Sequence, residues 1–130
     1  MVKKLLLTIL GGFLILPCAF AKKLDWQFAT SKHYINVTCW REDYALYSED
    51  CIYQVWNLPR RSNTPDMIFN KGQWNVATDG NLHWSFKKGD TMIEMYVDNR
   101  SNGDGILWVY INDVLKSSRK LKLLGEPARW

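Results

Sequence analysis

Histidine is scarce in this chain, and its scarcity excludes more than any motif it contains asserts. Among 130 residues there are two, His33 and His83, and they do not form a pair with metal-ligand spacing. No serine occupies a Gly-x-Ser-x-Gly elbow, and no glycine-rich loop opens a helix to cradle a phosphate. Acidic residues are present, but none is marked out as one of a catalytic pair. The reading is therefore a protein that is not an enzyme and needs no cofactor or metal. A strong charge of one sign is also missing. The 17 basic and 13 acidic side chains leave a formal net charge of +4, and Lys3 and Lys4 belong to a segment expected to be removed. So small a surplus does not make the basic face that replaces phosphate counterions, which argues against a nucleic-acid partner.

Long apolar runs are absent except at the start. Lys3 and Lys4 precede the 12-residue run Leu5 to Leu16, and Ala19-Phe20-Ala21 supplies a small-x-small cleavage site. The run falls short of the roughly 20 residues that span a bilayer. Residues 1–21 are thus expected to be a secretory signal peptide, with no stable membrane insertion after cleavage. Pro17 directly before Cys18 is unlike a lipoprotein cleavage site. The expected location is periplasmic or secreted, with 22–130 forming a single all-β domain. In that compartment Cys39 and Cys51 read as one disulfide. Closing a loop of this size contributes about 3 kcal/mol. The sequons Asn36-Val37-Thr38 and Asn99-Arg100-Ser101 are coincidental if the export signal is bacterial, as its short basic lead suggests.

Helical periodicity is nearly absent, while alternation with period two is widespread. His33 to Trp40 and Cys51 to Leu58 alternate so that, if the two cysteines meet, Ile35, Val37, Tyr53 and Val55 face inward. Tyr34, Trp40 and Trp56 then face away. Gln73 to Thr78 and Leu82 to Lys87 flank the turn Asp79-Gly80-Asn81, and Trp74 and Trp84 are assigned to the core. Thr91 to Asp98, Ile106 to Ile111 and Val114 to Leu124 complete the pattern. Lys116, Lys120 and Lys122 share a parity, a common guard on a sheet edge. The expected fold is a small antiparallel β-sandwich or barrel of six to seven strands with one disulfide.

Three features suit recognition. The strip between the cysteines carries Glu42, Asp43, Glu49 and Asp50 beside Tyr44 and Tyr47; a loop pinned at both ends loses less entropy on binding. Its charge suits a protein partner with a basic surface, with Trp40 or Trp56 as apolar anchors. Leu58 to Gly72 reads as the longest unpatterned stretch, and its Arg60 and Arg61 have forked donors that suit a carboxylate, a sugar acid or a phosphate. The tryptophans and tyrosines, notably Trp40, Trp56, Trp108 and Tyr110, alternatively suit a glycan. The leading expectation is a small exported protein acting by protein–protein contact, such as an inhibitor or immunity protein. The alternatives are a carbohydrate- or cell-wall-binding module and a structural subunit of an envelope or secretion assembly.

Overall fold

A computed structural model describes residues 21–98 and 102–127. The export signal up to Phe20, the Asn99-Arg100-Ser101 sequon and Trp130 lie outside the described residues. Eight strands follow one another: β1 (Ala21–Ala29), β2 (His33–Glu42), β3 (Tyr47–Asn57), β4 (Met67–Val76), β5 (Leu82–Lys88), β6 (Thr91–Val97), β7 (Asp104–Ile111) and β8 (Val114–Gly125). Each pairs antiparallel with the next and β8 returns to β1, closing an up-and-down barrel. The all-β class is as the alternation implies, and Cys39 and Cys51 are bridged as the cysteine count implies. The strand count of six to seven is corrected to eight, and the sandwich alternative gives way to a barrel.

The additional strand is β1. Its alternation is plain in the residues, with Leu24, Trp26 and Phe28 fully buried and Asp25 and Gln27 partly exposed between them. No turn signal separates it from the export segment; its pairing with Glu42 to Tyr34 of β2, and at three positions with β8, brings it into the sheet. A second correction concerns Leu58 to Gly72, whose second half is strand. Phe69 and Trp74 have opposite parity yet both are buried. A register shift lets them share the inner face: Cys51 lies opposite Gly72 while Tyr53 lies opposite Phe69. Lys71 absorbs the extra residue with φ 58°. Such a bulge breaks the period of two and conceals a strand from pattern reading.

The barrel is solid. Ile35, Val37 and Cys39 of β2 face Tyr53 and Val55 of β3, and all five are buried. Trp26 is the centre of the packing, with ring centroids 5.2 Å from Trp74 and 5.1 Å from Trp84. Phe28 meets Trp84 edge-on at 5.1 Å. Tyr53 packs against Phe69 and Phe86. The space that larger barrels leave for a ligand is thus occupied by side chains. Asn36, Gln54, Asn75 and Glu94 alternate outward, interleaved with Tyr34, Ile52, Tyr96 and Trp108. Among the described residues no helix is long and apolar enough to cross a membrane.

The closure is uneven. Neighbours such as β2 and β3 share long continuous ladders, whereas β1 meets β8 at Gln27, Phe28 and Ala29 only, with an irregularity between the first two. Beyond that seam, residues 114–121 of β8 pair with β7 alone among the described strands.

Candidate functional site

The β2–β3 hairpin carries the acidic strip, and its construction can be followed bond by bond. Cys39 and Cys51 lie directly opposite each other and are bridged, with Cα atoms 4.1 Å apart. Above them the chains separate and side chains take over from the ladder. The Ser48 hydroxyl donates to the Trp40 carbonyl at 2.5 Å and accepts from the Asp50 N–H at 3.0 Å. The turn closes where the Ala45 N–H donates to the Glu42 carbonyl at 2.8 Å, with Asp43 and Tyr44 at positive φ. Arg41 continues the inward parity of β2, is 2% exposed, and donates through Nη1 to the Ala45 carbonyl at 3.2 Å. The Val76 N–H donates to the Leu46 carbonyl, tying the hairpin to β4.

A second bulge presents the acids. Ser48 lies opposite Trp74 and Cys51 opposite Gly72, so β3 carries one residue more than β4 over this span. Ser48 and Cys51 both face inward, and Glu49 and Asp50 between them are both exposed. A regular strand would have turned one of the two acids into the barrel. Together with Glu42 and Asp43 they border a recess of about 570 Å³, whose walls also include Trp40, Arg41, Tyr47 and Ser48. Tyr44, Leu46 and Tyr47 around it are 83%, 53% and 60% exposed. Carboxylates and exposed tyrosines therefore share one rigidly held tip.

Of the residues singled out from sequence, the structure gathers Trp40, Glu42, Asp43, Tyr44, Tyr47, Glu49 and Asp50 at this end of the barrel. Trp56, Arg60 and Arg61 lie at the other end. Sequence reading passed over the anchoring roles of Arg41 and Ser48. The parity of β2 was the available signal for Arg41, since it falls on the same side as Cys39. Nothing local announces the bulge that turns Ser48 inward.

At the opposite end, Trp56 faces outward as its parity requires, yet it is only 7% exposed. The Arg60 guanidinium covers it, 4.4 Å from the Trp56 ring centroid and 5.3 Å from that of Tyr34. The two rings are themselves 5.6 Å apart. Arg60 donates through Nε to the Ser62 carbonyl at 3.2 Å. Asp66 holds the base of the loop, accepting from the Asn57 N–H at 2.7 Å while its own N–H donates to the Val55 carbonyl. Beside the Arg60 stack lies a recess of about 310 Å³, lined by Trp56, Leu58, Arg61, Thr64 and Asp66 among others.

A third surface is aromatic. On the outer face of β5, β6 and β7, His83 stacks on Tyr96 at 4.7 Å, and Tyr96 meets Trp108 edge-on at 5.9 Å. No group of three or more His, Cys, Asp or Glu with metal-holding geometry occurs among the described residues.

These features define a class: a disulfide-braced, up-and-down eight-stranded barrel with a filled interior, whose candidate sites lie on its ends and outer wall. Comparison with family models, with curated proteins and with solved structures yields no significant match.

Proposed function

We propose that this chain is a small exported binding protein that works by protein–protein contact, in the manner of an inhibitor or immunity protein. Its acidic β2–β3 hairpin docks against a basic surface. The observation that carries the reading is the anchored tip, where four exposed carboxylates and two exposed tyrosines stand on a hairpin held by a disulfide, Ser48 and Arg41. Little conformational freedom remains to be lost there on binding. Tyrosine is enriched at the centres of protein interfaces, and charge of one sign accelerates encounter with its complement. A disulfide fits an oxidising compartment. The filled interior favours surface contact over enclosure of a small ligand.

The test is charge reversal. The quadruple variant Glu42→Lys, Asp43→Lys, Glu49→Lys, Asp50→Lys should lose the partner that the wild-type protein retains from extracts of the producing organism or its competitors. Wild-type retention should weaken steeply between about 50 and 200 mM salt, a range over which the Debye length shrinks to below about 10 Å. A partner retained equally by both proteins, with the same salt dependence, removes the hairpin from the interface.

A second reading, glycan binding, is favoured by the His83–Tyr96–Trp108 ladder on the outer wall. Aromatic faces of this kind stack on sugar rings. Tryptophan emission that shifts with a glycan in the wild-type protein but not in Trp108→Ala would support it.

A further inference from the structure

We propose that the loop joining β3 to β4 forms a second binding site, at the end of the barrel remote from the acidic hairpin, and that it takes the carboxylate of a polypeptide segment. The site is built on Arg60. Stacking on Trp56 and Tyr34 and the Nε bond to the Ser62 carbonyl fix the plane of its guanidinium. Those contacts leave Nη1 and Nη2 without a hydrogen bond or ion pair among the described residues. A guanidinium held flat against rings, with its terminal donors unengaged, is prearranged for the two parallel bonds a carboxylate accepts. An arginine that served only to cover Trp56 would not need to keep those donors open.

Three further observations point the same way. Arg61, the next residue, is exposed, lines the 310 Å³ recess and has no hydrogen bond or ion pair among the described residues. Lys32, in the β1–β2 connection, and Lys87 and Lys88, which end β5, are exposed at this end, Lys88 donating to the Ile68 carbonyl. The indole N–H of Trp56, which also lines the recess, is buried and makes no hydrogen bond among the described residues. The choice of a polypeptide rests on the rim, where Leu58, Met67 and Ile68 are 45%, 49% and 37% exposed. Apolar side chains beside an arginine pair suit a ligand that mixes carboxylates with apolar groups, as a peptide does and a polyuronate or inorganic phosphate does not.

The experiment uses the processed protein at low salt and a capped tetrapeptide of alternating glutamate and leucine. Binding is followed by the NMR signals of the Arg60 Nε–H and the Trp56 indole N–H. The peptide should shift both signals, and its glutamine counterpart should not. Arg60→Ala should weaken binding at least about tenfold. Arg60→Lys should restore little, since an ammonium keeps the charge but not the fork. Arg61→Ala, at an exposed position whose loss leaves the fold intact, should weaken binding by a smaller factor. Unchanged affinity in both alanine variants, with native far-UV spectra, overturns the proposal. So does equal or tighter binding of oligogalacturonate or inorganic phosphate. The outcome is separable from that for the acidic hairpin, because the quadruple reversal variant should bind the tetrapeptide no more weakly than wild type.

Discussion

The residues that repay attention individually are those whose chemistry conflicts with their surroundings. His33 begins β2 beside the seam. Burial, then the charges of Arg119 and Lys32, hold its pKa below the usual imidazole value. The Thr30 hydroxyl accepts from the Lys32 and His33 N–H groups and lies 3.3 Å from Nδ1, so its own proton is available to a neutral ring. The unfolded chain binds the proton at about pH 6.5, the folded chain only below that. This contribution to stability is therefore fully present above about pH 6.5 and declines as the pH falls towards the folded-state value. Urea unfolding of wild type and His33→Gln between pH 7.5 and 5 should show a shallower decline in the variant; parallel curves would rule the residue out. Tyr53 sets the opposite limit, since burial raises its pKa and that contribution is lost as the pH rises past about 10.

Gly72 is the other decisive single position. A Cβ there would lie 2.0 Å from the Phe86 ring, a side chain that is itself 1% exposed and has nowhere to move. Gly72→Ala should destabilise by about 1–3 kcal/mol through overpacking, measured as a lower urea midpoint at constant slope. An unchanged midpoint would mean that the Phe86 ring can be displaced at no cost.

At the scale of the element, the two bulges do the most. In β4, Lys71 takes up one extra residue so that Phe69 and Trp74 both reach the core. A lysine at φ 58° occupies the left-handed region that glycine enters without penalty. Lys71→Gly should therefore leave stability unchanged or raise it by up to about 1 kcal/mol, whereas Lys71→Val should lower it by about 1–2 kcal/mol. Thermal melting of the two variants separates these outcomes, and a less stable glycine variant would contradict the strain argument. In β3 the corresponding irregularity keeps Glu49 and Asp50 in solvent while Ser48 turns in. The period of two that made most strands legible is interrupted at the two places that shape the β3–β4 region. That is why Met67–Gly72 reads as loop from sequence, and why the inward turn of Ser48 does not follow from parity.

For the molecule as a whole, closure is the weak point. Each neighbouring pair from β2 to β7 shares at least four residue pairs, with two register shifts between β3 and β4, but β1 and β8 share three, and Val114 and Leu115 of β8 are 55% and 49% exposed. Regions with few buried contacts and exposed backbone bonds open first. Hydrogen exchange should therefore be fastest in residues 114–120 among the strands, and slowest around Ile35–Cys39 and Cys51–Val55, where the disulfide joins two long ladders. Equal protection of β8 and β2 would show that the three-pair seam is as strong as the rest. The lysines of β8 fit this view, since Lys116 and Lys120 stand where β8 lacks a second described strand, a placement that discourages edge-to-edge pairing. The two ends also differ in charge, with the acids of the β2–β3 hairpin at one and Lys32, Arg60, Arg61, Lys87 and Lys88 at the other.

Sequence alone settled the all-β class, the cysteine pairing and the inward set Ile35, Val37, Tyr53, Val55, Trp74 and Trp84: the pairing follows from two cysteines in an exported chain, and the rest from a period of two anchored on it. The tertiary structure alone decided the eighth strand, the closure of the sheet and the burial of Trp56 beneath Arg60. Each of these depends on which distant residue lies alongside, and bulges and covering loops alter that without leaving a periodic trace in the sequence.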